Sequence, residues 1–201
     1  MKDDGQRPRR SNAERRATTR AAVLDATITA IVRYGYRGAT SERIAELSGL
    51  TRGAQKHHWA TKNEMVAEAL LHLHDRLMVV TVAELEGASG VRPTLEALWR
   101  SFRSDLFTAA TELHLAARID DELRGVLTEV EREIGRRIRR ITTRALDDGV
   151  HPPERLDEIG DHVVNVMRGM AFQTSLGARA DREQRQLEVL EQAVHGLLRA
   201  H

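Results

Sequence analysis

The segment spanning residues 40–59, TSERIAELSGLTRGAQKHHW, constrains the fold more than any other part of the chain. Its first half places apolar residues at helical spacing and ends at Gly49, which can adopt a left-handed backbone conformation at no steric cost. Thr51 follows and can cap a second helix by accepting a hydrogen bond from the free amide groups of its first turn. Two short helices joined by a tight glycine turn predict a helix-turn-helix motif, in which the second helix enters the DNA major groove.

The second helix of this motif is rich in polar side chains and offers few apolar ones to a protein core. Gln55 can form two hydrogen bonds with adenine, and Arg52 or Lys56 can donate hydrogen bonds to guanine or to phosphate. Gly53 would keep the backbone accessible close to the DNA. A helix of this composition needs a partner outside the protein, and we expect that partner to be double-stranded DNA. The polar side chains are those of Thr51, Arg52, Gln55, Lys56, His57 and His58.

The charges of the chain are divided unevenly between its front and its body. Residues 1–62 contain 13 lysines and arginines against 6 aspartates and glutamates, whereas the whole chain contains 31 against 30. A basic front on an acidic body favours contact between the front and a polyanion. Solvated surface charge is the alternative interpretation.

Composition excludes several other classes of protein. The 201 residues include no cysteine, which excludes a disulfide framework, a thiolate nucleophile and a cysteine-based zinc site. No apolar run is long enough to span a membrane, and the first residues lack the apolar stretch of a signal peptide. We therefore expect a cytoplasmic protein without membrane contact. Four prolines and 3% aromatic residues favour an all-α fold.

Helical patterns divide the chain into three parts. We expect a disordered basic arm over residues 1–14, a three-helix DNA-binding domain over residues 15–61, and a helical ligand-binding and dimerisation domain over residues 62–201. Thr61 opens a capping box, with a glutamate three residues later, so a connector helix should cover residues 62–86. The glycine-containing segment EGASGVRP then breaks the helical pattern.

The last two predicted helices carry more apolar surface than a small core requires. This excess favours a homodimer seam along both helices, although folding back onto the chain's own core is the alternative. A dimer would place two recognition helices on one duplex. A run of arginines on the preceding long helix is interpreted as a solvated face, because glutamates stand at helical spacing from them. The arginines are Arg132, Arg136, Arg137, Arg139, Arg140 and Arg144.

The run YGYRGATSERIAELSGLTRGAQKHHWATKNEM resembles the DNA-binding domain of the TetR family of bacterial transcriptional regulators. The resemblance is close over about residues 15–70, and the remaining helix order is similar to the family's ligand-binding and dimerisation domain. It implies an all-α fold of about nine helices, a homodimer, and an operator with two related half-sites. It also implies release of the DNA when a small effector binds the body, with repression as the commoner outcome.

The same resemblance implies roles for individual residues. Thr40 and Ser41 at the start of the second helix, and Lys62 at the start of the fourth, should contact phosphates. His58 should close the recognition helix. Many family members carry a tyrosine where this chain has Lys56, which replaces an aromatic contact by a mobile cation. The residues expected to face bases or nearby backbone are Arg52, Gly53, Gln55, Lys56 and His57.

A ligand pocket is expected where the central helices converge, since methionine and aromatic side chains suit a flexible apolar lining. Plain core packing is the alternative interpretation for most of these positions. His114 and His162 stand out because a polar group on an apolar face could orient a ligand. The identity of the effector does not follow from these residues. The pocket candidates are Leu98, Phe102, Leu106, Leu113, His114, Ile134, Met167 and Met170.

Neither a metal site nor an enzyme motif is evident in the chain. The adjacent His57 and His58 lie about 100° apart on a helix and cannot easily chelate one ion, and His72 and His74 fail on geometry as well. We expect no metal and no other cofactor. Because the G-x-S-x-G, phosphate-loop and H-E-x-x-H motifs are missing, we expect no enzyme activity. The competing interpretation is a helical small-molecule carrier or enzyme whose basic N-terminal module is only architectural.

Overall fold

The computed structural model describes residues 12–86, 90–147, 149–175 and 180–199. Within these ranges the chain forms nine α-helices and no β-strand, which confirms the predicted all-α fold. In chain order the helices are α1 (Asn12–Gly38), α2 (Ser41–Ser48), α3 (Arg52–Lys56), α4 (Lys62–Glu86), α5 (Val91–Phe102), α6 (Asp105–Ala117), α7 (Asp121–Leu146), α8 (Pro153–Ser175) and α9 (Ala180–Arg199).

The first helix begins earlier than the sequence predicts. Helix α1 starts at Asn12, so residues 12–14 belong to a helix and not to the predicted arm. The acidic Glu14 lies in the first turn, where a negative charge interacts favourably with the free amide groups of a helix N-terminus. The rest of the predicted arm, residues 1–11, lies outside the described residues.

Helix α1 is interrupted at Gly35, where the backbone has φ 67° and ψ 171°. Glycine adopts this region at low cost, whereas a side chain would be strained there. Helical geometry is therefore broken at Gly35, and a short helical stretch follows it to Gly38. The chain then reaches Thr40, whose hydroxyl oxygen accepts a hydrogen bond from the Arg43 N–H at 3.4 Å and opens α2.

Replacing Gly35 with alanine is expected to destabilise the protein by about 1–3 kcal/mol, because the new residue must hold a strained backbone conformation. The added Cβ would also lie 3.1 Å from Oε2 of Glu112 on α6. Gly125 on α7 is the matched control, since a Cβ there meets nothing within 4 Å. Gly125→Ala should raise stability by about 0.5–1 kcal/mol. Urea unfolding of both variants measures the contrast, and equal effects would contradict the role given to Gly35.

Helices α2 and α3 form the predicted helix-turn-helix. Gly49 has φ 68°, and its N–H donates to the carbonyl oxygens of Ala45 and Glu46 at the end of α2. The left-handed turn closes α2 and directs the chain into α3 within three residues. Ile44, fully buried, anchors α2 in the core. The turn thus fixes α3 at an angle to α2 with one long face directed outward.

Helix α4 begins with the predicted capping box. The Glu64 N–H donates to Oγ1 of Thr61 at 3.1 Å, and Oε2 of Glu64 accepts from the Thr61 N–H at 3.3 Å. These reciprocal bonds satisfy backbone groups that the first helical turn leaves free. At 25 residues, α4 is about 37 Å long, long enough to leave the helix-turn-helix and reach the far helices.

Two apolar cores stabilise the molecule, and the first crosses the predicted domain boundary after residue 61. The first core joins α1, α2 and α4 to α6 and the front of α7, with Ile31, Leu70 and Leu127 among its buried members. The second joins α5, α8 and α9 to the end of α7 around Leu95 and Val194. Because α6 and α7 pack directly on α1 and α4, the helix-turn-helix shares its core with the helices behind it.

Candidate functional site

The recognition helix α3 directs its basic side chains to solvent. Arg52, Gly53 and Lys56 are exposed, as are Thr51 before the helix and His57 after it. The Arg52 guanidinium forms an ion pair with Glu42 at 2.8 Å, with 59% and 60% of the two side chains exposed. Pairs this exposed contribute only about 0–1 kcal/mol, so Arg52 can exchange its carboxylate partner for a phosphate or a base.

Gln55 is positioned differently from its predicted role at a base edge. The side chain is only 4% exposed, and its Nε2 donates to the carbonyl oxygen of Ser41 at 3.3 Å. This bond joins α3 to the start of α2, so the amide is turned toward the protein and away from the exposed face. This contact positions α3 on α2, and adenine recognition by Gln55 stays a prediction. The sequence missed this burial because Gln55 stands among exposed polar neighbours on a short helix.

Trp59 anchors the end of the recognition segment in a cluster with Arg20 and Glu68. The indole Nε1–H donates to Oε2 of Glu68 at 2.7 Å, and the ring is 6% exposed. Arg20 of α1 donates to the same carboxylate through Nε at 2.6 Å and Nη2 at 2.5 Å. Its guanidinium also lies 5.1 Å from the centroid of the indole ring. The cluster therefore links α1, the segment after α3, and α4.

The charge of Glu68 is stabilised by these donors. Burial alone would raise the pKa of this carboxyl group, but the hydrogen bonds from Arg20 and Trp59 outweigh it and place the pKa below its ordinary value. The sequence alone does not connect Trp59 with Arg20 or Glu68. Arg20 and Glu68 lie 48 residues apart in the chain.

Stability should fall at acidic pH in part through Glu68. Because its pKa is lower in the folded state, the carboxylate stabilises the fold above its unfolded pKa of about 4.3, and this contribution is lost as pH falls through the folded pKa. Glu68→Gln removes the charge at every pH. We expect the difference in unfolding free energy between the two proteins to be largest near pH 7 and to shrink as pH falls below about 5. Urea unfolding across this range measures it, and a difference independent of pH would contradict the assignment.

Lys62, predicted to contact phosphate, lies half-buried against the end of α1. Its Nζ donates to the Tyr36 carbonyl oxygen at 2.5 Å and lies 4.0 Å from the Tyr36 ring centroid. Burial lowers the pKa of Lys62. The Tyr36 hydroxyl donates to Oδ1 of Asn63 at 2.5 Å. Thr40 and Ser41, the other predicted phosphate contacts, are half-buried at the start of α2. All three phosphate assignments stay predictions.

A cavity of about 430 Å³ lies among α4, α5, α6, α7 and α8. Its volume falls in the range of about 300–1,000 Å³ typical of small-molecule sites. The wall is mostly apolar and includes Met78, Phe107 and Phe172, which the sequence did not single out. The predicted pocket residues that line it are Leu98, Phe102, Leu106, His114 and Ile134.

Three of the predicted pocket residues do not line this cavity. Leu113 is 1% exposed and faces the core that α6 shares with α1 and α4. Met167 and Met170 belong to the second core beneath α5 and α9. Plain core packing therefore describes Leu113 and Met167, whereas Met170 also borders the groove between α8 and α9. His162 is exposed and borders a groove between α8 and α9, outside the cavity.

The polar groups of the cavity come from five different helices. His74 of α4 is fully buried, and burial lowers its pKa. His114 of α6 lies 3.3 Å from Glu131 of α7, and this hydrogen bond raises the pKa of His114. Arg168 of α8 adds a cation, and Ser101 of α5 and Thr111 of α6 add hydroxyl groups. The cavity thus combines a buried imidazole, a histidine–glutamate pair, one further cation and two hydroxyl groups in a mainly apolar wall.

The outer face of α7 contains the predicted run of arginines. Arg132 pairs with Glu129, and both Arg136 and Arg137 pair with Glu133, at 2.5 to 2.6 Å, as expected for a solvated face.

Among the described helices none is long and apolar enough to cross a membrane. The same part of the chain holds no cluster of three histidine, aspartate or glutamate residues arranged to bind a metal ion.

Comparison with known proteins identifies the front of the chain. A sequence model described as "Bacterial regulatory proteins, tetR family" matches residues 23–69, which include α2 and α3. The HTH-type transcriptional regulator CymR of Pseudomonas putida is 29% identical over 129 residues, 62% of this chain and 64%, just under two thirds, of that protein. The HTH-type transcriptional repressor AcnR of Corynebacterium efficiens is 24% identical over 185 residues, 92% of this chain and 96% of that protein.

Solved structures extend the likeness over the rest of the fold. A transcriptional regulator of Rhodococcus sp. Rha1 superposes with a TM-score of 0.66 at 22% identity, covering 89% of this chain and 95% of that one. GusR of Salmonella enterica superposes with a TM-score of 0.68 at 16% identity, covering 91% and 96%. Identities this low establish the fold alone. The helix-turn-helix of this chain is therefore similar to that of the tetR family of bacterial regulatory proteins, and the helices behind it share the fold of these solved structures.

Proposed function

We propose that this protein is a homodimeric repressor that leaves a palindromic operator when a small molecule binds its cavity. The observation that supports the proposal is the way in which α3 is held on the body of the protein. Buried Gln55 and Trp59 hold the helix on the body, while Arg52 and Lys56 point to solvent. A short basic helix fixed in this way suits insertion into a major groove. We propose residues 15–61 as the DNA-binding part and residues 62–201 as the effector-binding and dimerisation part, acting in the cytoplasm without a catalytic step.

A dimer is proposed because a palindromic operator has two half-sites about 34–36 Å apart, one helical turn of DNA. The outer sides of α8 and α9 border a groove of about 480 Å³, and Val189 beside it is 65% exposed. An apolar side chain this exposed is stabilised when a second copy covers it. We therefore place the seam along α8 and α9, which leaves both copies of α3 free to reach one duplex.

Release by an effector is proposed to act through the core shared by α1, α4, α6 and α7. The cavity is lined by α4, α6 and α7, and the same helices pack on α1 and on the start of the helix-turn-helix. An effector that binds better to a body conformation with unfavourable α3 spacing lowers operator affinity by at most its preference for that conformation. Tyr36 and Lys62 lie where these helices meet, so they would move with any shift of α4.

The proposal is tested by measuring binding of the purified protein to the DNA directly upstream of its own gene. The titration is run at two salt concentrations with unrelated duplex as competitor. We expect specific binding by two protomers per duplex that weakens steeply with salt, because lysine and arginine contacts release counterions from phosphate. Equal binding to both duplexes would contradict a specific operator. Absence of binding at low salt would favour a small-molecule carrier that uses only the cavity.

A further inference from the structure

His74 is a buried polar side chain whose hydrogen-bonding groups have no protein partner. It is 0% exposed, and neither Nδ1 nor Nε2 forms a hydrogen bond within the described part of the molecule. Buried side-chain polar atoms are nearly always paired, because leaving one unpaired costs about 1–3 kcal/mol. An imidazole in this state is therefore available to form hydrogen bonds with a bound molecule.

The cavity is the place from which that partner can come. His74 is one of the residues that line the cavity, together with apolar residues such as Met78, Leu98 and Ile134. Burial, followed by the positive charge of Arg137, lowers the pKa of His74 and keeps the ring neutral. A neutral imidazole presents one N–H donor and one nitrogen acceptor. A hydroxyl or a carbonyl group of a bound molecule can therefore pair with it.

The other polar groups of the wall favour a negative charge on the bound molecule. Glu131 is already engaged with His114 at 3.3 Å, and this hydrogen bond raises the pKa of His114, which favours a protonated ring beside the carboxylate. Arg168 has no hydrogen bond or ion pair with any described residue. Its guanidinium can therefore take a carboxylate without breaking an existing contact, whereas a cationic ligand would have to compete with His114 for Glu131.

We propose, on the basis of the function proposed above, that the effector is a small apolar carboxylic acid with a hydroxyl or keto group remote from its carboxylate. The carboxylate of the effector pairs with Arg168, and its remote oxygen forms a hydrogen bond with His74. The hydrocarbon or ring between these two groups packs against the apolar wall that includes Phe102 and Phe107. A volume of about 430 Å³ accommodates a molecule of this kind.

The test compares four related compounds by calorimetry on the purified full-length protein. The probes are para-hydroxyphenylacetate, phenylacetate without the hydroxyl, para-hydroxyphenylacetamide without the charge, and tyramine with a positive charge. We expect the hydroxylated acid to bind at least about tenfold more tightly than each of the others, since each lacks one of the two polar contacts. Absence of binding by the acid at millimolar concentration, or equal binding by the amide or tyramine, overturns the inference.

Two variants assign the contacts to their residues. Arg168→Gln should weaken binding of para-hydroxyphenylacetate about tenfold and leave the amide unchanged. Arg144→Gln removes an exposed arginine of α7 that does not border this cavity and should change nothing. His74→Leu should abolish the preference for the hydroxylated acid over phenylacetate. An equal effect of Arg168→Gln and Arg144→Gln overturns the assignment, and this comparison uses two exposed positions that do not endanger folding.

The outcome is separable from the proposed function because calorimetry requires no DNA. Release of the operator by tyramine but not by the acid would overturn the effector class and leave the repressor proposal intact. Tight binding of the acid by a protein that does not bind its upstream DNA would support the ligand class while overturning the repressor proposal.

Discussion

Replacing Arg52 and Lys56 together with alanine is expected to lower operator affinity by about 1,000-fold or more. Each well-placed contact with a base contributes about 1–3 kcal/mol, and a dimer on two half-sites loses each contact twice. A loss of about 4 kcal/mol, the lower end of that sum, already corresponds to nearly three factors of ten. Fluorescence anisotropy with the upstream duplex measures the affinity. The dependence on salt should also flatten, because fewer phosphate-bound cations are displaced.

The double substitution of Arg140 and Arg144 with alanine is the matched control. It removes the same number of positive charges from exposed positions of α7, away from α3. If net charge alone governed DNA binding, the two double variants would lose similar affinity. A local recognition helix requires that only the α3 variant lose it. Thermal unfolding should be unchanged in the α3 variant, because the pair between Arg52 and Glu42 is exposed and contributes little.

Local features of the fold could be predicted because their causes lie within a few residues of each other. The turn at Gly49 depends on one left-handed glycine, and the start of α4 depends on Thr61 and Glu64 three positions apart. Short sequence patterns predict such helix caps. The early start of α1 at Asn12 was missed, since a basic stretch without apolar residues does not distinguish a helix from an arm.

Burial within the site could not be predicted, because it depends on distant segments. Gln55 and Lys56 are neighbours of similar polarity, yet only Gln55 faces Ser41 across the turn of the motif. Residue spacing along α3 does not reveal where the start of α2 will lie. The pairing of Arg20 with Glu68 across 48 residues is equally absent from any local pattern. The first contact arises from the packing of α3 on α2 and the second from the packing of α1 on α4.

The apolar residues of the cavity also could not be predicted from the sequence alone. A helical stripe predicts which face of a helix is covered, but not whether a helix or an empty space covers it. Leu106 and Leu113 both lie on α6 and both read as inward positions. Leu106 reaches the cavity, whereas Leu113 packs into the core with α1. His74 was considered only as a metal ligand, since nothing in the sequence shows that its ring lacks a partner.

Replacing Trp59 with alanine is expected to destabilise the protein by about 3–5 kcal/mol, the largest effect on folding among these substitutions. The change empties a site where the indole is 6% exposed, and it removes the donor that Glu68 accepts at 2.7 Å. It also leaves the Arg20 guanidinium without the ring it covers. Urea unfolding measures the loss, and operator affinity should fall with it in the fraction that remains folded.

Trp59→Phe separates packing from hydrogen bonding at the same position. The phenyl ring fills most of the space but has no N–H group, so we expect a loss of only about 1–2 kcal/mol from the missing hydrogen bond, because Oε2 of Glu68 keeps the bond from Arg20. Helix α3 has five residues, too few to be stable by itself, and depends on buried neighbours such as Trp59 and Gln55 for its position. Trp59→Phe should therefore retain most operator affinity. Full affinity in Trp59→Ala would contradict the view that this side chain holds the recognition helix in place.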